Sequence, residues 1–158
     1  MRKIHLAWLA LTFALGSGVS VAAGEPERIV QVAATDPEMN AAKERGRASL
    51  PEFFRHLEAP GADESQFMVK FDIVAGEEAE FVWATELERS GGRMTGVLVN
   101  QPEYTDHRLG DRVNIAEADI IDWAYFRGAV MQGAFTNRVL LDRLPPEEAE
   151  QLRRAYGW

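Results

Sequence analysis

The chain has 158 residues, 25 of them acidic and 17 basic, and contains no cysteine. The missing thiols exclude disulfides, thiolate metal sites and a cysteine nucleophile. The acidic balance argues against nucleic acid or anionic membrane as a partner, because like charge repels phosphate.

The first 23 residues carry an export pattern. Arg2 and Lys3 form a basic start, Leu6 to Leu15 is apolar, and Val21-Ala22-Ala23 offers the small residues that a signal peptidase reads. The run is shorter than the roughly 20 apolar residues a membrane span needs, so cleavage is expected near Ala23. No cysteine follows to take a lipid, and no stable membrane anchor is expected after cleavage. Without Arg2 and Lys3 the mature chain would keep 15 basic and 25 acidic residues, a net charge of −10. The expected location is the periplasm or outside the cell. Gly24 to Trp158, 135 residues, fits a lead-in over 24–35 and a single domain over 36–158.

In chain order, the lead-in holds at most one short strand, over Ile29 to Val32. Asp36-Pro37 predicts a helix start, since Asp accepts from free amides and Pro suits the first turn; the helix runs to about Ser49. Ser49-Leu50-Pro51-Glu52 matches a capping box and opens a second short helix that stops before Pro60-Gly61. From Gln66 the pattern has period two. Phe67, Val69, Phe71 and Ile73 share one face, and Lys70 and Asp72 the other.

A turn at Ala75-Gly76-Glu77 leads to Ala79–Leu87, with Phe81, Trp83, Thr85 and Leu87 on one side. Ser90-Gly91-Gly92 turns the chain into a third strand, Arg93 to Asn100. A polar loop follows to Gly110. Extended runs at Arg112–Ile115 and Ile120–Phe126 come next, then Gly128 and an apolar piece to Met131. Helical spacing begins at Gly133 and breaks at Pro145-Pro146, and a last helix over Pro146–Tyr156 ends at Gly157. The expected class is α+β: a small antiparallel meander sheet of about five strands, with N-terminal and C-terminal helices packed on it.

Bond-making chemistry finds little support. The mature histidines, His56 and His107, form no metal-ligand pattern. Ser49, Ser65 and Ser90 lie in no nucleophile elbow, and the glycines lack the strand-to-helix setting of a phosphate loop. Neither metal nor cofactor is expected. Glu117, Asp119 and Asp122 are the available acid/base candidates; a glycosidase-like pair would need two of them facing one cleft about 5 to 9 Å apart.

Period two from Ile120 puts Ile121, Trp123 and Tyr125 on one face and Ile120, Asp122, Ala124 and Phe126 on the other. Both faces are apolar, so the strand belongs inside the sheet and Asp122 needs a buried partner. Arg138 is the expected one, through a guanidinium–carboxylate fork.

The runs DPEMNAAKERGRASLPEF, FVW (Phe81–Trp83), GVLVNQPEY, LGDRVNI, IIDWAYF and GAFTNRVL, in this order over Asp36 to Leu144, resemble the YegJ-like bacterial proteins, which share a domain of unknown function numbered 2314. The resemblance implies a small α+β domain and no particular activity. It points to Asn100 and Pro102, Asp111, Asp122, Trp123, Gly133, Thr136 and Arg138 as positions of interest, with Asn100, Asp111, Asp122, Trp123, Thr136 and Arg138 as candidate binding residues. The chain departs where the family tends to show Gly-Gly-Tyr-Thr, with Phe135 before Thr136, which removes a phenol hydroxyl.

These readings favour an exported, non-enzymatic binding or protein-interaction module of the bacterial envelope, with an unknown protein or cell-envelope ligand as partner, a basic one fitting the acidic charge. The competing expectations are an envelope hydrolase using a carboxylate pair around Asp122 and a purely structural domain.

Overall fold

Asp36 starts the first helix as its sequence predicts. Its Oδ1 accepts from the Met39 amide at 2.9 Å, and Pro37 occupies the first turn of α1, Pro37–Ala48. The computed structural model describes residues 3–7, 29–33, 35–74 and 79–158. After α1 come α2 (Leu50–Glu58), β3 (Glu64–Asp72), β4 (Ala79–Ser90), β5 (Arg93–Leu98), β6 (Arg112–Ala116), β7 (Ile120–Arg127), β8 (Val130–Gly133), α3 (Phe135–Leu141) and α4 (Pro146–Tyr156). Before α1 lie β1 (Lys3–Ala7) and β2 (Ile29–Ala33).

The architecture is α+β. Six strands, β3 to β8, pair antiparallel in the order β8-β7-β3-β4-β5-β6. The count exceeds the expected five because Val130–Gly133 pairs with β7 as a full strand. Only β3 to β6 form a meander; β7 crosses back to the far side of β3 and becomes an inner strand.

Most of the expected export signal lies outside the described residues, as does the expected turn at Ala75-Gly76-Glu77. The exception in the signal is β1, which pairs parallel with Ala79–Phe81 of β4 and antiparallel with β2. The described part of β2 joins the sheet only through β1.

Apolar residues fill both faces of the sheet. On one, Met68, Trp83, Ile121 and Phe126 pack with Met39 of α1, Leu140 of α3 and Tyr156 of α4. On the other, Val69, Phe71, Val82 and Trp123 pack with Leu50 and Phe53 of α2. This double cover buries β3 on both faces over Met68–Phe71. Lys70, expected on a polar face, is fully buried.

Bulges correct the face assignments. The β3–β7 register pairs Lys70 with Asp122 but Phe71 with Ile120, so period two breaks at Ile121. Ile121 joins the core of Ala124 and Phe126, and Ile120 joins that of Trp123 and Tyr125. In β4, Glu86 has φ 48° and the pairing slips between Thr85 and Glu88, which moves Leu87 off the face of Phe81 and Trp83. An extra residue in one strand turns every later side chain over.

Two carboxylates tie the helices down and set the acid response. The Arg143 guanidinium, at 2.6 Å, and the Met39 amide hold Asp36 down to about 2. The Gly61 amide, with Arg127 and His56, does the same for Glu64. Both folded values lie below the ordinary 3.8 and 4.5. Their stabilisation is therefore complete above about pH 4.5 and is lost as pH falls towards 2. Urea denaturation from pH 5 to 2 should show this loss, with a shallower slope in Asp36→Asn/Glu64→Gln; an unchanged slope in the double variant would refute the assignment.

Candidate functional site

Helix α3 begins without a cap of its own. Its N-cap residue Ala134 sits in the left-handed region at φ 51° and has no acceptor side chain. Free amides at a helix start attract an anion, and β7 provides one. Asp122 Oδ1 accepts from the amides of Trp123 at 2.9 Å and Phe135 at 3.2 Å. Its Oδ2 accepts from the amide and hydroxyl of Thr136, both at 2.7 Å.

Lys70, opposite Asp122 on β3, donates to Thr136 Oγ1 at 3.3 Å and Asn137 Oδ1 at 3.4 Å, with Nζ lying 5.3 Å from the centre of the Trp83 ring. Burial pushes Lys70 down to about 7 against the pull of Asp122. Burial also pushes Asp122 up, opposed by the Thr136 hydroxyl and amide and by Lys70. Three amides aimed at Asp122 suit the ionised form, since a carboxylic acid would turn its own proton towards donors.

This arrangement corrects the expected Asp122–Arg138 fork. The Arg138 Nε donates to the Gly133 carbonyl at 3.1 Å, and its guanidinium lies 3.7 Å from the Trp158 ring centre. Thr136 and Arg138 are two positions apart, about 200° around a helix, so they leave α3 in different directions. The acid/base grouping also comes apart. Asp122 is fully buried with both oxygens occupied, Glu117 pairs with Arg89 at 2.7 Å, and Asp119 borders another depression.

The other candidates serve the fold. Asn100 is buried and its Oδ1 accepts from the Trp83 amide at 2.8 Å, closing β4 where β5 ends. Asp111 accepts from the Arg108 amide at 2.7 Å within the loop turn. Thr136 belongs to the buried cluster. Gly133, at φ 69°, would place a Cβ 2.3 Å from the Trp123 carbonyl.

Trp123 does face a surface feature. Its ring stacks at 5.4 Å on Phe53 and meets Phe135 edge-on at 5.7 Å, and its Nε1 donates to Ser49 Oγ at 2.9 Å. Ser49 is thus no capping box: its hydroxyl turns back to the Arg45 carbonyl at 2.7 Å and takes the indole proton. Above this contact lies an open groove of about 840 Å³ lined by Arg45, Ala48, Ser49, Pro51, Glu52, Arg55 and Phe135. Among the described residues neither Arg45 nor Arg55 has a hydrogen bond or ion pair for its guanidinium. Sequence reading missed Lys70, Arg45 and Arg55; a lysine amid apolar strand residues was the one available signal.

A smaller depression of about 310 Å³ brings Asp72 and Asp119 near His107 and Arg112. Asp72 Oδ1 already accepts from the Val74 and Glu80 amides, at 3.0 and 3.2 Å.

A helix-covered antiparallel sheet with a buried Lys–Asp–Thr cluster makes this a small α+β domain. The chain belongs to the family described as "Uncharacterized protein conserved in bacteria (DUF2314)", matched over residues 36–158. The match takes in α4, beyond the Leu144 limit of the motifs read from sequence. The chain is also similar to "Uncharacterized protein YegJ" of Escherichia coli (strain K12), 32% identical over 154 residues and 97% of each chain. No solved structure matches it.

Proposed function

We propose that this protein is an exported binding module of the bacterial envelope, non-enzymatic, with its recognition surface at the α1–α2 groove. The groove carries this reading: its polar groups are open to a ligand, whereas the reactive-looking Asp122 and Lys70 are sealed in the core. Concave surfaces with an aromatic wall and a few convergent polar groups are where small ligands bind. Phe135 forms the wall, and Trp123 beneath it, held by Ser49, keeps that wall rigid. The basic amino-terminal run and its small-residue end support export. A hydrolase would have to work from Asp72 and Asp119 instead of Asp122, with one oxygen of Asp72 already engaged in holding backbone.

The test has two readings. Protein from the osmotic-shock fraction should begin at Gly24. Amide resonances of Arg45, Ser49 and Phe135 should shift when the purified protein meets the small-molecule fraction of that extract, and a spectrum without shifts at the groove would count against binding there.

A further inference from the structure

The mature chain would carry a net −10, which by itself favours a basic partner. Charge acts locally, however. At physiological salt exposed charges are screened beyond about 8 Å, so a ligand in the groove senses its lining more than the distant surface. That lining holds two guanidinium groups, Arg45 and Arg55, and one carboxylate, Glu52.

Of the described arginines, Arg45, Arg47, Arg55, Arg93, Arg108 and Arg138 have no ion pair with a carboxylate, and of these Arg45 and Arg55 line the groove. Arg89, Arg112, Arg127, Arg143, Arg153 and Arg154 each pair with a carboxylate. The two at the groove have none among the described residues. Both lie on helices held against the core, α1 through buried Gly46 and α2 through buried Phe53, so their backbone positions are fixed before any ligand arrives.

Resting on the binding reading above, we propose that the groove takes a small anion: a flat apolar molecule bearing one carboxylate. Its apolar body lies against Phe135 and Pro51, and its carboxylate meets Arg45 and Arg55. Guanidinium presents a planar fork that matches a carboxylate through two parallel hydrogen bonds. Glu52 opposes the anion and lowers its affinity.

The probes are 2-naphthoate and its neutral counterpart 2-naphthylmethanol, titrated into the purified protein and followed by amide shifts at Ser49 and Phe135. Naphthoate should bind at least 10-fold more tightly than the alcohol. Arg45→Gln/Arg55→Gln, both exposed positions, should bring the two probes within about twofold of each other, and Glu52→Gln should tighten naphthoate alone. Equal binding of both probes to the wild-type protein overturns the anion assignment while leaving the groove as a binding surface. Preference for naphthoate that survives in the double arginine variant overturns it as well. Binding of neither probe also overturns it, and the extract experiment then decides the broader reading separately.

Discussion

Asp122→Ala is expected to lower stability by about 3–5 kcal/mol, the range found when one member of a buried charged pair is removed. The substitution removes the acceptor of four hydrogen bonds and exposes the amides of Phe135 and Thr136 at the start of α3 to an apolar surrounding. It also leaves Lys70 buried without its counter-charge.

Lys70 can respond by releasing its proton, because burial has already lowered it to about 7. Its folded pKa lies below its unfolded one, so its contribution to stability grows as pH rises from about 7 towards 10.5. The cost of Asp122→Ala should accordingly be smaller at pH 9 than at pH 6. Adding Lys70→Met should recover part of the loss, since no unpaired charge then stays inside. Urea midpoints for the two single variants and the double variant measure all of this. A loss under about 1 kcal/mol for Asp122→Ala would mean that the cluster is incidental to the fold.

Gly46→Ala is expected to destabilise by about 3 kcal/mol, at the upper end of the usual range for overpacking. Helix propensity alone predicts the opposite, a gain of about 1 kcal/mol for replacing glycine inside a helix. The contact decides the sign: an added Cβ would stand 2.2 Å from the Ile121 carbonyl oxygen and 2.9 Å from the Asp122 Cα. Both neighbours are backbone of an inner strand, so α1 itself must move away, opening the packing around Met39 and straining the neighbouring Asp122 cluster. Thermal and urea denaturation provide the measurement, and a variant more stable than the parent would show that α1 yields without cost.

Local elements were legible where their signal was local. Asp36 caps α1 as read, Gly91-Gly92 turns β4 into β5, and Gly157 ends α4. The errors of sequence reading share one origin. Glu86 adopts a left-handed φ of 48° without being glycine, and the break in β7 falls at Ile121 within an apolar run, so no residue type announced the bulges that displaced the expected faces. Ser49 matched a capping box by spacing, yet Trp123, 74 positions away, claims its hydroxyl. Arg138 was a reasonable partner for Asp122 by charge, but helix direction gave that place to Thr136 and left Lys70 as the nearby buried cation.

The amino-acid sequence by itself determined the α+β class, the order of the main helices and strands, the inner position of Ile120–Phe126 and the burial of Asp122. Each follows from periodicity and residue chemistry within a short window. The tertiary structure alone decided that β7 returns beside β3, that Lys70 is enclosed, and that Arg45 and Arg55 border an open groove. Those outcomes depend on which surfaces meet across tens of residues of chain, and a one-residue bulge in a strand is enough to change which side chains meet.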